Sequence, residues 1–203
     1  MRAVADPVAV EVRRNAEAAR SWAELATRIS SCIACPELVQ QRSSVVVGDA
    51  PPRARLLLMG EAPGATEDET GRPFVGRSGQ LLDRLLADVG VARADVAVLN
   101  TAKCRPPGNR PPTPTESRRC RGWTQRQLDL LAPAVVVPLG LSATRWFLGP
   151  TTLSAVRGRV HIVDGRAVLP TYHPSAALRW GPGGDPERLL RDDLAQAAAL
   201  AAS

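Results

Sequence analysis

The sequence predicts an α/β fold: a three-layer α/β/α sandwich around a central, mostly parallel sheet of about four strands. Two observations predict it. Short apolar runs recur along the chain, and segments with helical periodicity lie between them. The runs are residues 55–59, 95–99 and 134–139, and we expect the last strand within 166–171. Apolar runs of this length are typical of parallel strands that are buried on both faces.

Helical spacing of apolar side chains predicts the helices between these strands. Residues 7–29 are expected to form one N-terminal helix, and the leucines of 81–89 a second helix that ends at Gly90. A capping box with proline at the first helical position, TPTE at 113–116, begins a helix that should run to about Leu131.

The C-terminal part of the chain is expected to contain two further helices and one hairpin. A short helix is predicted over 142–148, and Asp185-Pro186 marks the start of the final helix. Residues 156–170 read as a hairpin whose turn is Asp164-Gly165.

Length and composition indicate one globular domain. The chain has 203 residues, 44% of them hydrophobic, which is enough to build a core. No apolar run approaches the roughly 20 residues that span a bilayer, so we expect no membrane association and a cytoplasmic protein. The net charge of +6 suits a phosphate-binding surface. Because Lys103 is the only lysine, the arginine content could equally reflect genome composition.

All the cysteines of the chain form one pattern: a CxxC pair, Cys32 and Cys35, followed by Cys104 and Cys120. Four thiolates are a complete ligand set for a [4Fe–4S] cluster or for a tetrahedral zinc ion. In a reducing compartment such cysteines are more often metal ligands than two disulfides.

Polar residues follow three of the predicted strands. They are Glu61 in the loop Gly60–Gly64, Asn100, and His173 before Pro174 and Ser175. Ligands of open α/β sheets bind beyond the carboxyl ends of the strands, so these groups are expected on one rim. Each also has a structural interpretation: a solvated turn acid, an amide that caps local backbone, and a packed histidine.

Phe74 is a further candidate, because an aromatic residue stands in a loop between Gly71 and Gly76. Its ring could stack on a nucleic-acid base. The alternative is a core side chain that anchors the loop.

Long stretches of the chain resemble the family-four uracil-DNA glycosylases, the iron–sulfur branch of the uracil-DNA glycosylase superfamily. The matching segments are GEAPGATEDETGRPFVGRSGQLLDRLL (60–86), LNTAKCRPPGNRPPTPTE (99–116), VVVPLG (135–140), VRGRV (156–160) and PTYHPSAALR (170–179). With the CxxC pair, the resemblance covers about residues 22–195. It implies an enzyme that flips uracil out of DNA and hydrolyses its N-glycosidic bond.

The resemblance also implies roles for individual residues. Glu61 and His173 would be catalytic: the acid positions or activates water, and the imidazole donates to the developing charge on uracil. Phe74 would stack on the base and Asn100 would read its polar edge, with Gly60 and Ala62 also at the substrate. The expected DNA contacts are Pro63, Gly64, Ser175, Leu178 and Arg179.

The resemblance makes the four cysteines the ligands of a structural [4Fe–4S] cluster. Residues 1–203 would then form a single glycosylase-like domain, and the cluster would tie in residues 1–36, an N-terminal helix and cysteine knuckle. The expected partner is uracil-containing DNA, and the expected state is a monomer.

Two departures from related glycosylases shape these expectations. Better-known uracil glycosylases have an aspartate where this loop has Ala62, so that position cannot supply a base. A branch that crosslinks to its product uses a histidine in a longer loop, whereas 109–113 contains none. We therefore expect catalytic turnover.

Two alternatives to a base-excision enzyme are a non-catalytic metal-containing DNA-binding module and a redox iron–sulfur protein. The first leaves Phe74, Asn100 and His173 without a role. The second is disfavoured because ferredoxin cysteines cluster closely in sequence.

Overall fold

The central sheet has five strands within the part of the chain that the computed structural model describes, residues 6–181 and 183–202. In spatial order they are β2 (Val96–Asn100), β1 (Leu56–Gly60), β3 (Val135–Pro138), β5 (Arg166–Val168) and β4 (His161–Val163). The first four are mutually parallel, and β4 pairs antiparallel with β5. The predicted α/β class is confirmed, and the fifth strand is the first arm of the predicted hairpin.

Helices connect and cover these strands. In chain order they are α1 (Pro7–Glu17), α2 (Trp22–Ser30), α3 (Pro36–Gln41), α4 (Ala65–Thr70), α5 (Arg77–Asp88), α6 (Pro114–Leu131), α7 (Leu141–Leu148), α8 (Leu153–Val156), α9 (Pro174–Trp180) and α10 (Asp185–Ala202). Short 3₁₀ turns span Arg93–Asp95 and Pro107–Asn109. None of the helices in the described residues is long and apolar enough to cross a membrane.

The alternation of side chains along β1 produces the three layers. Leu56 and Leu58 pack into a core shared with α5 and α10, whereas Leu57 and Met59 pack into a separate core with Leu128 of α6. Successive strand residues point to opposite faces of a sheet, so each face has its own helical layer. A third apolar cluster joins α1 and α2 to Trp123 of α6.

The strand register places the predicted rim residues side by side. Gly60 and Asn100 are paired at the carboxyl ends of β1 and β2. Leu139, just after β3, forms an isolated parallel bridge with Thr171, two residues before His173. The loops that carry Glu61, Asn100 and His173 therefore leave the same edge of the sheet.

The prediction of one helix over 7–29 is wrong. The structure has two helices, α1 and α2, separated at residues 18–21. The Ser21 hydroxyl accepts from the backbone N–H of Glu24, and the Glu24 carboxylate accepts from the backbone N–H of Arg20. This reciprocal capping starts a new helix inside a continuous apolar period.

Candidate functional site

A cleft of about 310 Å³ opens at the carboxyl ends of β1 and β2. It falls in the size range of small-molecule sites. The residues that line it come from five separate segments of the chain: Glu61, Ala62, Pro63, Gly64, Glu67, Phe74, Ser78, Asn100, Pro106, Asn109, Arg110, His173 and Ser175. Acid, amide, aromatic ring and imidazole, distant in sequence, thus share one hollow.

Gly60 lies behind this cleft because two site residues occupy the space that a side chain would need. A methyl group there would lie 2.5 Å from Asn100 Oδ1 and 2.6 Å from Phe74 Cζ. The absence of a side chain at Gly60 therefore lets the amide and the aromatic ring approach the end of β1.

Asn100 is 2% exposed, yet its Oδ1 has no hydrogen-bond partner among the described residues. A buried amide oxygen without a partner costs free energy, and in native proteins it is uncommon. The cost is removed when a ligand supplies the missing donor. An amide in this position can pair with the donor and the acceptor of a planar polar edge.

Phe74 is fixed in a left-handed backbone conformation, with φ of 52°. This conformation is unusual for an aromatic residue. Its backbone lies against Gly79, where a methyl group would come within 1.9 Å of the Phe74 carbonyl oxygen. The ring is buried and its centroid lies 5.8 Å from that of His173, at a tilt of 37°. Backbone strain of this kind persists where the surrounding structure imposes it, and here it places the Phe74 ring at the cleft.

Glu67 holds two loops of the cleft together, a role that the sequence analysis missed. One carboxylate oxygen accepts from the backbone N–H groups of Val75 and Gly76, at 2.9 and 2.8 Å. The other accepts from the N–H of Gly64, at 3.1 Å. The available signal was an acid three residues after Gly64, at the start of a helix.

The hydrogen bonds of His173 determine which nitrogen carries its proton. Its Nδ1 accepts from the backbone N–H of Ser175 at 3.1 Å and lies 2.8 Å from the Ser175 hydroxyl. Because a backbone N–H can only donate, Nδ1 is unprotonated and the neutral ring carries hydrogen on Nε2. Burial, with a smaller contribution from Arg179, lowers the pKa of His173 to about 4. At neutral pH His173 is a neutral donor.

Glu61 is held through its backbone, which leaves its carboxylate free. Its carbonyl oxygen accepts from the N–H of Ala102 at 2.9 Å and from the Thr101 hydroxyl at 2.8 Å. Within the described residues, nothing donates a hydrogen bond to its side chain. The carboxylate is therefore free to accept a hydrogen bond in the cleft.

The four cysteines line a second cavity, beside the cleft. All four are free thiols. Three of them accept hydrogen bonds on sulfur: Cys104 from Arg42 at 3.0 Å, Cys32 from the Trp123 indole at 3.3 Å, and Cys120 from the backbone N–H of Lys103 at 3.3 Å. Such N–H···S bonds are typical of the surroundings of metal thiolates.

Burial, and to a smaller extent the neighbouring thiols, raise the pKa values of three of these cysteines, Cys35, Cys104 and Cys120. The pKa of Cys35 is raised to about 11, by burial first and then by Cys32 and Cys104. Burial raises that of Cys120 to about 12. Among the described residues, no three cysteine, histidine or acidic side chains are grouped closely enough to hold a single metal ion.

Lys103 links the two cavities. It is almost completely buried, and burial lowers its pKa to about 8. Its Nζ donates to the backbone carbonyl of Asn100 at 2.5 Å, while its own N–H contacts Cys120. The only lysine of the sequence therefore connects the cysteine cavity to the backbone of Asn100.

A family model described as the Uracil DNA glycosylase superfamily matches residues 47–195. The chain belongs to this superfamily. It is 41% identical to the type-4 uracil-DNA glycosylase of Thermotoga maritima over 84% of this chain and 89% of the relative. The corresponding enzyme of Archaeoglobus fulgidus is 40% identical, over 76% and 82%. That of Sulfurisphaera tokodaii is 36% identical, over 78% and 76%.

The structure brings together most of the site residues that the sequence predicted in this superfamily member. Glu61, Ala62, Pro63, Gly64, Phe74, Asn100, His173 and Ser175 line the cleft, and Gly60 packs behind it. Leu178 and Arg179 do not line it. They lie on α9, the helix that His173 caps, where Leu178 is 37% exposed. Next to them Trp180, which the sequence analysis did not single out, is 77% exposed.

Proposed function

We propose that this protein is a uracil-DNA glycosylase of DNA base excision repair. It hydrolyses the N-glycosidic bond of a flipped-out deoxyuridine and leaves an abasic site. The observation that carries the proposal is the buried Asn100 side chain, whose Oδ1 has no partner among the described residues and which lines the same cleft as Glu61, Phe74 and His173. Membership of the superfamily and the names of its relatives support it.

Recognition rests on Asn100 and Phe74. Uracil presents a carbonyl acceptor next to an N–H donor, and an amide side chain offers the complementary donor and acceptor. The bound base supplies the donor that Asn100 Oδ1 lacks. The Phe74 ring stacks on the face of the base, as aromatic side chains do with flipped nucleotides.

Bond cleavage leaves the electron pair of the C1′–N1 bond on uracil, which departs as an anion. Its negative charge spreads to a carbonyl oxygen, where the Nε2–H of His173 donates a hydrogen bond. A neutral imidazole stabilises this oxygen without transferring its proton. Removing one preorganised donor of this kind typically costs about 10²–10³ in rate.

Glu61 acts on the sugar side of the broken bond. Its carboxylate accepts a hydrogen bond from the attacking water, whose oxygen bonds to C1′. The negative charge also favours the positive charge that develops on the sugar. The water proton passes to Glu61 and then to solvent, the uracil anion gains a proton from solvent, and the products are abasic DNA and free uracil.

DNA is held by the loops that surround the cleft. The loops that carry Pro63, Gly64 and Ser175 lie beside the phosphates on both sides of the flipped nucleotide. Leu178 and Arg179, exposed at the surface of α9, enter the space that the base vacates. An apolar wedge of this kind offsets part of the unstacking energy.

We also propose that Cys32, Cys35, Cys104 and Cys120 hold a [4Fe–4S] cluster. Four sulfurs that line one cavity, three of which accept N–H···S hydrogen bonds, form a complete ligand set for such a cluster. The bound group supplies a covalent tie between chain segments. The four thiols release their protons when they bind it, as ligation requires. The cationic side chains of Arg42 and Lys103 lie next to these sulfurs and balance negative charge.

This tie makes one domain of residues 1–203, of which residues 1–36 are held by Cys32 and Cys35. The first five residues of that segment lie outside the described part of the chain. We propose that the protein acts as a monomer, because a complete cleft is built from one chain. We also propose that it acts in the cytoplasm.

A fluorescent oligonucleotide with one uracil tests the proposal directly. Incubation with the protein followed by alkali should break the strand at uracil, under single-turnover conditions. His173→Ala and Glu61→Gln should slow this step by about 10²–10³. His161→Gln and the exposed Glu69→Gln serve as matched controls and should not.

The proposal fails if the wild-type protein breaks no more strand than a Glu61→Gln/His173→Ala double variant. Salt-sensitive binding to DNA without excision would instead support a non-catalytic DNA-binding module.

A further inference from the structure

A polar cluster of two buried residues and one partly exposed arginine lies behind the loop that carries His173. It consists of Arg157, Thr171 and Asp193, which come from three different parts of the chain. Arg157 directly follows α8, Thr171 lies between β5 and α9, and Asp193 belongs to α10. Thr171 is completely buried and Asp193 is only 5% exposed.

Asp193 joins the other two members. Arg157 Nη1 donates to both of its oxygens, at 3.0 and 2.8 Å, and the Thr171 hydroxyl donates to Oδ2 at 2.5 Å. Gly158 packs against the carboxylate, since a methyl group there would lie 3.0 Å from Asp193 Oδ1. Burial raises the pKa of Asp193, and the bonds from Thr171 and Arg157 oppose this rise.

Thr171 connects this cluster to the loop that carries His173. Its backbone N–H donates to Pro138 at 3.1 Å, and its carbonyl accepts from Gly140 at 2.8 Å. His173 lies close to the same Gly140, where a methyl group would be 3.1 Å from the His173 Cβ. The residue between them, Tyr172, has the Arg157 guanidinium 5.6 Å from its ring centroid.

Stability alone is a weak reason for a buried ion pair here. Apolar residues of similar volume are often as stabilising as such a pair, because charged groups lose hydration on burial. The pair instead fixes orientation. The Asp193 carboxylate binds both the Arg157 guanidinium and the Thr171 hydroxyl, and it thereby fixes the orientation of both groups. Here the hydroxyl belongs to the chain two residues before His173.

We propose that the Arg157–Asp193 pair is a positioning device for His173, which acts through the hydroxyl of Thr171. The pair sets the depth at which the Nε2–H of His173 meets the departing uracil oxygen. Neither side chain lines the cleft. This inference rests on the proposed function, because it assigns the pair to the same reaction.

Single-turnover excision by two variants of Thr171 gives the sharpest test. Thr171→Val keeps the shape but removes the hydroxyl, whereas Thr171→Ser keeps the hydroxyl. We expect Thr171→Val to lower the rate of the chemical step about 10- to 100-fold, since a misplaced group costs this much. Thr171→Ser should restore most of the rate, and the KM should change little in either. Asp193→Asn should resemble Thr171→Val.

The His173→Ala background distinguishes positioning from general damage. If the pair acts through the imidazole, Asp193→Asn and Thr171→Val cause no further loss once His173 is absent. An equal further loss in that background would overturn the inference, as would a wild-type rate in Thr171→Val. If Asp193→Asn fails to fold, the comparison of Thr171→Val with Thr171→Ser still tests the inference.

NMR of the ¹⁵N-labelled imidazoles gives a readout that needs no activity. The chain has two histidines, so His173 is assigned by comparison with His161→Gln. Thr171→Val should shift the His173 ring signals and Thr171→Ser should not; unchanged signals in both would overturn the inference. Absence of uracil excision by the wild-type protein would instead overturn the proposed function, and the NMR result would still test the positioning.

Discussion

Replacing Gly60 by alanine tests how closely Asn100 and Phe74 pack at the base of the cleft. Gly60 has no positive φ, so alanine adds no backbone strain. The new methyl group would lie 2.5 Å from Asn100 Oδ1 and 2.6 Å from Phe74 Cζ, whereas ordinary contacts begin at 3.4 Å. One or both side chains must therefore move by about 1 Å, toward the space that the base occupies.

We expect this movement to lower the rate of uracil excision by about 10²-fold, the usual cost of a 1 Å misplacement in an active site. The measurement is single-turnover strand breakage after alkali, with substrate binding followed separately by fluorescence anisotropy. Overpacking should also lower the free energy of unfolding by about 1–3 kcal/mol, measured by urea denaturation.

Gly122→Ala is the matched control, because its methyl group would lie 2.8 Å from the Arg13 Cα, between α6 and α1. It should lower stability without a comparable loss of rate. If Gly60→Ala retains the wild-type rate, Asn100 and Phe74 do not form the base-recognition surface as argued here.

Three other predictions each concern one side chain. The imidazole of His173 should titrate near pH 4 in an NMR experiment, since burial and Arg179 lower its pKa. The unfolded chain takes up that proton near pH 6.5, so stability should fall as the pH drops from 6.5 toward 4; a midpoint near 6.5 in the folded protein would contradict the burial argument. If the four cysteines hold the proposed cluster, Cys120→Ser should remove its brown absorbance near roughly 400 nm and lower Tm by about 6 °C or more, taking ~3 kcal/mol as for a loop-closing crosslink; an unchanged iron content would remove Cys120 from the ligand set. Leu178→Ala should weaken excision from double-stranded DNA more than from single-stranded DNA, because only the duplex leaves a gap to fill; equal losses on both substrates would exclude that role.

Local patterns predicted the elements that build the rim. The runs at β1, β2 and β3 are apolar throughout because both faces are covered, and the capping box at Thr113 marks the true start of α6. Because the carboxyl ends of parallel strands lie at one edge of a sheet, Glu61, Asn100 and the loop that carries His173 meet at that edge. This part of the site follows from chain order and sheet geometry.

Features that depend on tertiary contact could not be predicted in the same way. Asp193 reads as an ordinary polar residue of α10, and only the packing of that helix places it against Arg157 and Thr171. The orphaned oxygen of Asn100 likewise depends on the surroundings that exclude water. The break between α1 and α2 did have a local signal, Ser21 with Glu24, which the continuous apolar period obscured.

The most direct test of the cleft as a catalytic site is the amount of free uracil released for each abasic site formed. The purified protein is incubated with oligonucleotides that carry uracil, thymine or cytosine at one position, and the released base is quantified by chromatography. We predict one free uracil for each alkali-labile site, and neither product from the thymine or cytosine strands. Intact uracil DNA after incubation with the folded protein would contradict a catalytic role for the cleft.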